Sequence, residues 1–207
     1  MGWSSVRRLG LGPVRDVLLE AAVVGSDGRL FRAGGPTVKN VTGYDLCRLL
    51  VGSLGTLGLL AEVLLRTRPL PAASAWVAGE IDTAAVDLGI VAPVAHLWDG
   101  TRRWFLLEGH ERDVSDGVRA LERAGGRPSS GPPDLPPHRW SVAPEAVRDV
   151  VEADRGRCVA EVGVGTIHHH APSPRPDITA GVRTLNVRLR SLFDPTGRLN
   201  PGRTPLR

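Results

Sequence analysis

The run Gly34-Gly-Pro-Thr-Val-Lys-Asn-Val-Thr-Gly-Tyr-Asp-Leu46, continued by Cys47-Arg-Leu-Leu-Val51, Gly52-Ser-Leu-Gly-Thr-Leu-Gly58 and Leu59-Leu-Ala-Glu-Val-Leu-Leu65, decides how the chain is read. It gathers residue types that the chain otherwise avoids. Lys39 is the only lysine and Tyr44 the only tyrosine, and Asn40 is one of three asparagines, with Asn186 and Asn200. Gly52, Gly55 and Gly58 recur at every third residue. Glycine lets a backbone run close to a ligand and take up conformations closed to other residues. Successive exposed N–H groups form an anion-binding concavity, and the hydroxyls of Ser53 and Thr56 can donate to phosphate oxygens. The same spacing fits, equally well, a tightly packed turn that binds nothing.

The flanks of this run have their own signals. Val14 to Val24 is apolar and β-branched near its end. Ser26-Asp27-Gly28 follows, a hairpin turn signal because Asp and Gly tolerate positive φ. Arg29 to Ala33 then forms the shorter second arm of a β-hairpin. Asp45 to Val51 predicts one or two helical turns, with Asp45 capping the start and Gly52 ending it. Leu59 to Arg66 predicts a strand, which Pro69 and Pro71 end at a domain boundary.

Beyond the boundary the character changes. Ala75 to Glu80 reads as a strand and Asp82 to Ile90 as a helix capped by Asp82. Val94–Trp98, Asp99-Gly100 and Arg103–Glu108 form the clearest hairpin, since Asp-Gly separates two apolar runs. Val114 to Ala124 reads as a helix. Arg127 to Pro144 holds six prolines and reads as a linker. Glu145 to Ala153 predicts a short helix, Cys158 to Gly163 a strand and Ile178 to Leu192 a helix. The order of elements gives a small α+β sandwich. The domains are therefore expected at residues 1–70 and 71–185, with a tail from 186 to 207.

Composition limits the function classes. The chain has 207 residues, 42% hydrophobic and 23% charged, ordinary for a packed soluble domain. The net charge is +4, but the arginines are dispersed and not interleaved with aromatic residues, so a nucleic-acid site is not indicated. Cys47 and Cys158 stand far apart without C-x-x-C partners, the usage of buried free thiols in a reducing cytoplasm. The residues after Met1 lack the apolar run of a signal peptide, and no stretch is apolar for the ~18 residues that a spanning helix requires.

Familiar glycine motifs are missing. The chain contains no G-x-x-x-x-G-K-[ST], and Gly163-Val-Gly165 has His168 where a Rossmann fingerprint needs its third glycine. No G-x-S-x-G elbow is present. Instead, Val38-Lys-Asn-Val-Thr-Gly-Tyr-Asp-Leu46 followed by Gly52–Gly58 resembles the FAD-linked oxidases of the vanillyl-alcohol-oxidase, or PCMH, type. The wording is most similar to the small FAD-binding subunits of bacterial glycolate oxidases (glycolate dehydrogenases). Gly12-Pro-Val-Arg-Asp-Val-Leu-Leu19 resembles the family's segment ahead of the same strands. Phe193-Asp-Pro-Thr-Gly-Arg-Leu-Asn-Pro-Gly202 resembles its C-terminal signature.

The resemblance implies an α+β fold: the second half of a PCMH-type FAD-binding domain, a substrate-side α+β sandwich cap, and a tail that returns to the FAD domain. It implies FAD as cofactor. Asn40, Gly43 and Tyr44 match the flavin-side motif, and Gly52, Ser53, Gly55, Thr56, Gly58 and Leu59 match the loop and strand that line FAD with main-chain groups. Leu54 stands where many relatives carry an acid, which removes a polar contact and leaves the backbone ones. Nothing in residues 1–33 resembles the family's first Gly-rich loop, which holds the pyrophosphate, so the chain reads as N-terminally truncated.

The implied activity is that of an FAD-dependent 2-hydroxy-acid (glycolate-type) oxidoreductase subunit. Its substrate would be a small 2-hydroxy acid, and its partners a catalytic FAD subunit and an iron–sulfur subunit. It would be cytoplasmic, with any membrane association made through partners. The alternative is a cofactor-free remnant or scaffold that pairs with a flavoprotein. No catalytic residue is assigned. Glu161-Val-Gly-Val-Gly-Thr-Ile-His168 matches the family's H-x-G-x-G-N-x-H metal motif at its glycines and last histidine only, so no metal site is expected. This stretch reads as a strand followed by a polar loop, with His169 and His170 in solvent. Asn200-Pro-Gly fits either an anchor for the tail or a plain turn.

Overall fold

The computed structural model describes residues 5–37, 45–174 and 178–203. In chain order the elements begin with α1 (Arg8–Leu11), β1 (Leu18–Val24), β2 (Leu30–Gly34), α2 (Leu46–Leu50) and β3 (Leu59–Leu65). They continue with β4 (Ala73–Gly79), α3 (Leu88–Val91), β5 (Ala95–Trp98), β6 (Arg103–Gly109), α4 (Glu111–Arg123) and β7 (Arg127–Ser129). The last are β8 (His138–Ser141), α5 (Val147–Ala153), β9 (Cys158–Glu161), β10 (Thr166–His169) and α6 (Ala180–Phe193). The chain divides into two compact units, one holding residues 13–68 and 175–207, the other residues 5–12 and 69–174. The α+β expectation is met, and every strand pair is antiparallel.

The first unit is a three-stranded sheet in the order β2-β1-β3. The β1–β2 hairpin forms where the turn signal lies. The Gly28 amide donates to the Gly25 carbonyl at 3.0 Å, and Gly28 takes φ +80°. Asp45 caps α2 as the sequence predicts, accepting from the Arg48 amide at 3.0 Å. Ala21 and Val23 of β1 point toward Cys47 and Leu50 of α2, with Leu189 and Phe193 of α6 packed against this cluster. Val23 is fully buried, which contributes roughly 1.5–3 kcal/mol. The chain re-enters this unit with α6. The sequence-based boundary at 186 falls inside that helix.

The second unit is a seven-stranded sheet in the order β7-β4-β6-β5-β9-β10-β8. On one face, Val77, Phe105 and Leu107 pack beneath Val114 and Leu121 of α4. Next to them, Trp98, Cys158, Ala160 and Ile167 pack beneath Val147 and Val151 of α5. Ala78, Leu97, Trp104 and Val159 belong to the other face, against Val6 and Leu135. The Asp99-Gly100 hairpin forms as read, with Asp99 Oδ1 accepting from the Thr101 and Arg102 amides.

Two stretches differ from the sequence reading. The expected helix from Asp82 to Ile90 is a single 3-10 turn at Thr83–Ala85 and the short α3, because Asp82 and Asp87 each cap a separate start. The proline-rich linker supplies β7 and β8, the two edges of the large sheet. Pro128 is tolerated there because an edge strand can spare an N–H.

Candidate functional site

The loop that joins α2 to β3 turns Ser53, Thr56 and Leu57 inward and leaves Gly52 and Leu54 at the surface. Ser53 N–H donates to the Leu50 carbonyl at 3.2 Å, and Thr56 N–H to the Ser53 carbonyl at 3.0 Å. Thr56 is fully buried, while Ser53 and Leu57 are nearly so. Gly52, Leu54 and Gly55 take φ of +85°, +55° and +74°. For leucine this left-handed conformation costs roughly 1–2 kcal/mol. The Leu54 carbonyl is held from outside the loop, where it accepts from the Asn200 side-chain amide at 2.5 Å. A Cβ on Gly52 would meet nothing within 4 Å, and one on Gly55 would meet only Asn200, at 3.9 Å. The loop therefore presents open main chain at those two glycines.

Gly58 has a different cause. A Cβ there would lie 2.3 Å from Val23 Cγ1. This glycine lets the end of the loop close onto β1, so one third of the glycine spacing is packing.

The tail that supplies Asn200 is fixed by Asp194. Its Oδ1 accepts from the Arg198 amide at 2.9 Å and its Oδ2 from the Leu199 amide at 2.8 Å. Burial pushes the Asp194 carboxyl up. Hydrogen bonds from Leu199, Arg198, Thr196 and Gly197 outweigh that and hold it below its ordinary value. The Ser26 hydroxyl adds a bond to the Phe193 carbonyl at 2.9 Å. Of the two readings of Asn200-Pro-Gly, the described geometry is that of an anchor. The link to Leu54 spans 146 residues and has no local sequence signal.

The residues named from the sequence fall into three groups. Asn40, Gly43 and Tyr44 lie outside the described residues. Gly52, Gly55 and Leu59 are on the outer side of the first unit, Leu59 being 64% exposed. Ser53 and Thr56 face inward, and the Thr56 hydroxyl donates to the Ser53 carbonyl at 2.7 Å. The expected donation from Thr56 to a phosphate does not fit this geometry, because the hydroxyl closes its own turn.

The second unit corrects the reading of Thr166–His169, while His170 is exposed as expected. The expected polar loop is strand β10, paired with β9 and β8. His169 is 2% exposed, not in solvent. Its ring stacks on Trp140 at 4.0 Å, and its Nδ1 accepts from the Ala171 amide at 2.8 Å. Glu161 Oε1 and His168 Nε2 are 2.9 Å apart, and Glu161 Oε2 is buried without a partner. Among the described residues no three His, Cys, Asp or Glu side chains gather to hold a metal.

His169 is the cross-strand neighbour of Cys158 and lies 3.6 Å from Asp154 Oδ2, a trio that resembles a nucleophile site on paper. Burial first, then Asp154 and Asp99, push the Cys158 thiol up, so it stays protonated and unreactive. Burial pushes the Cys47 thiol up as well. His96, without an identifiable partner in the sequence, is bonded to Arg103.

No family profile matches the chain. The resemblance read from the motifs is borne out by comparison with known proteins. The chain is 36% identical over 137 residues to glycolate oxidase subunit GlcE of Escherichia coli (strain K12), covering 63% of this chain and 38% of that one. It is 44% identical over 66 residues to glycolate oxidase subunit GlcD of Bacillus subtilis (strain 168), covering 32% of this chain and 14% of the other. Among solved structures, an alkyldihydroxyacetonephosphate synthase superposes with a TM-score of 0.59 at 13% identity, covering 96% of this chain and 54% of that chain. The chain thus resembles the FAD-linked oxidases in sequence and shares a fold with that synthase. It spans less than half the length of the curated relatives it matches.

Proposed function

We propose that the chain is the FAD-binding subunit of a cytoplasmic 2-hydroxy-acid oxidoreductase of the glycolate type, working with a catalytic FAD subunit and an iron–sulfur subunit. The observation that carries this reading is the Gly52–Gly58 loop. Ser53, Thr56 and Leu57 are drawn inward, its main chain is open at Gly52 and Gly55, and its conformation is pinned by Asn200.

FAD fits such a surface. A flat cofactor needs close approach and N–H donors, and open glycine backbone supplies both. Gly52 and Gly55 would give the approach, and Leu54 and Leu59 would shield the cofactor from water. Asn40, Gly43 and Tyr44 would contribute from the motif that precedes α2. When bound, FAD supplies acceptance of a hydride equivalent from the α-carbon of the hydroxy acid and onward transfer of electrons. The chain's part is to bind and orient, and removal of the hydroxyl proton is assigned to the catalytic partner.

A second reading, a cofactor-free scaffold subunit, is favoured by one observation: part of the glycine loop is given over to packing, with Gly58 against Val23 and the Thr56 hydroxyl bonded to the Ser53 carbonyl. A single preparation separates the two. The chain is purified together with its neighbouring gene products, and glycolate or D-lactate is added without oxygen. A visible flavin spectrum that bleaches on addition supports the first reading. A colourless complex that still contains the chain supports the scaffold.

A further inference from the structure

A cluster of unmatched positive charge lies in the second unit. On the sheet face that carries α4 and α5, the β5–β6 hairpin brings His96, Trp98 and Arg103 together. His96 is 6% exposed and stacks on Phe105 with ring centroids 4.2 Å apart. Its Nε2 lies 3.0 Å from Arg103 Nη1. A guanidinium only donates, so Nε2 is the acceptor and the ring is neutral. Burial first, and the Arg103 charge second, push the His96 pKa down to about 3. The guanidinium also lies over the Trp98 indole, 4.6 Å from its centroid.

Arg103 is half-buried, and the charge that bears on it is another cation, Arg148 of α5. Among the described residues neither arginine is in an ion pair with a carboxylate. Other arginines are matched: Arg7 with Glu108 at 2.8 Å, Arg32 with Glu20 at 2.6 Å and Arg48 with Asp16 at 3.2 Å. A partly desolvated cation beside a like charge is unfavourable unless an anion joins it.

We propose that Arg103 and Arg148, on a floor of His96 and Trp98, form a binding site for a small oxyanion, a carboxylate or a phosphate. The neutral imidazole takes one N–H of Arg103 and fixes the orientation of the fork. The indole holds the guanidinium plane. The remaining N–H groups of Arg103 match two oxygens of an oxyanion, and such charge-assisted pairs are the strong ones. Arg148 adds the second positive charge. The site involves only the second unit and does not depend on the flavin reading.

Titration calorimetry of the full chain tests it with three probes at matched ionic strength: inorganic phosphate, sodium acetate and sodium chloride. Saturable binding of phosphate or acetate at one site per chain is expected, with none for chloride, and the tighter of the two identifies the oxyanion class. Arg103→Met should abolish binding. Arg148→Ala, an exposed and structurally undemanding change, should weaken it about tenfold or more. Absence of saturable binding by both oxyanions overturns the proposal. So does unchanged affinity in Arg148→Ala, which stays informative if Arg103→Met fails to fold.

Discussion

The two units bury their side chains to different depths. In the second, Phe105, Leu97, Val77, Leu121 and Ile167 have no exposed surface. Its sheet has seven strands, helices on one face, and Val6 and Leu135 against the other. The first unit has a three-stranded sheet and one small cluster. Across that sheet Leu30, Val24 and Leu59 form a row, and Leu30 and Leu59 are 61% and 64% exposed. Leu64 of β3 and Val182, Leu185, Val187 and Leu192 of α6 are exposed as well. Aliphatic rows of this kind mark a surface that something else covers. The second unit has a core sufficient for itself. The first pairs a well-fixed glycine loop with an apolar exterior, the character expected of one wall of a larger site.

The sharpest way to separate the units is through their cores. Phe105→Ala should cost the second unit about 3–5 kcal/mol through lost transfer energy and a cavity. Trp76, Trp98, Trp104 and Trp140 all lie in that unit. Their fluorescence midpoint in urea should fall, while the rate of thiol labelling at Cys47 in the first unit should not change. A parallel rise in Cys47 labelling would show that the units unfold as one.

Acid should separate them by pH. The His96 pKa is about 3 folded and 6.5 in the ordinary state, so the unfolded chain takes up the extra proton first. The second unit should lose stability from about pH 6.5 down to pH 3, by roughly 4–5 kcal/mol. His96→Phe should flatten that slope. Asp194, in the first unit, has the opposite sign of shift, with a folded pKa below its ordinary 3.8. Its stabilisation is present above pH 3.8 and is lost only as the pH falls further. Equal acid sensitivity of tryptophan fluorescence and Cys47 labelling between pH 6.5 and 4 would contradict this order.

Smaller effects are expected in the first unit. Gly58→Ala places a methyl against Val23 and should cost about 1–3 kcal/mol, read from faster Cys47 labelling. Leu59→Ser combined with Leu185→Ser should change the stability of the isolated chain by no more than about 0.5 kcal/mol. These leucines are free of the core, so a loss well beyond that would mean that the exposed face is already packed.

Local chemistry made much of the fold legible. Asp27-Gly28 and Asp99-Gly100 placed two hairpins, and Asp45 placed the start of α2. The edge strands β7 and β8 were not legible, because Arg127-Pro-Ser129 and His138-Arg-Trp-Ser141 lack alternation and are strands only through pairing with β4 and β10. His169 was misread for the same reason: it stacks on Trp140 and faces Asp154, contacts that its place in the sequence does not announce. At the loop, glycine spacing marked the right segment but merged two causes, open backbone at Gly52 and Gly55 and close packing at Gly58. The Asn200–Leu54 clamp depends on a contact between remote segments, which spacing does not encode.

The central claim is that the open main chain of the Gly52–Gly58 loop holds FAD. The most direct test is flavin content per chain, from the visible spectrum of the complex with its neighbouring gene products, in wild type and Gly55→Val. Gly55 lies outside the core, so the strain of a valine at φ +74° should fall on the loop alone, and the variant should keep its circular dichroism and the thiol protection of Cys47. Bound flavin in the wild type and its loss in Gly55→Val with the fold intact are expected. Equal flavin in both, or none in the wild-type complex, would contradict it.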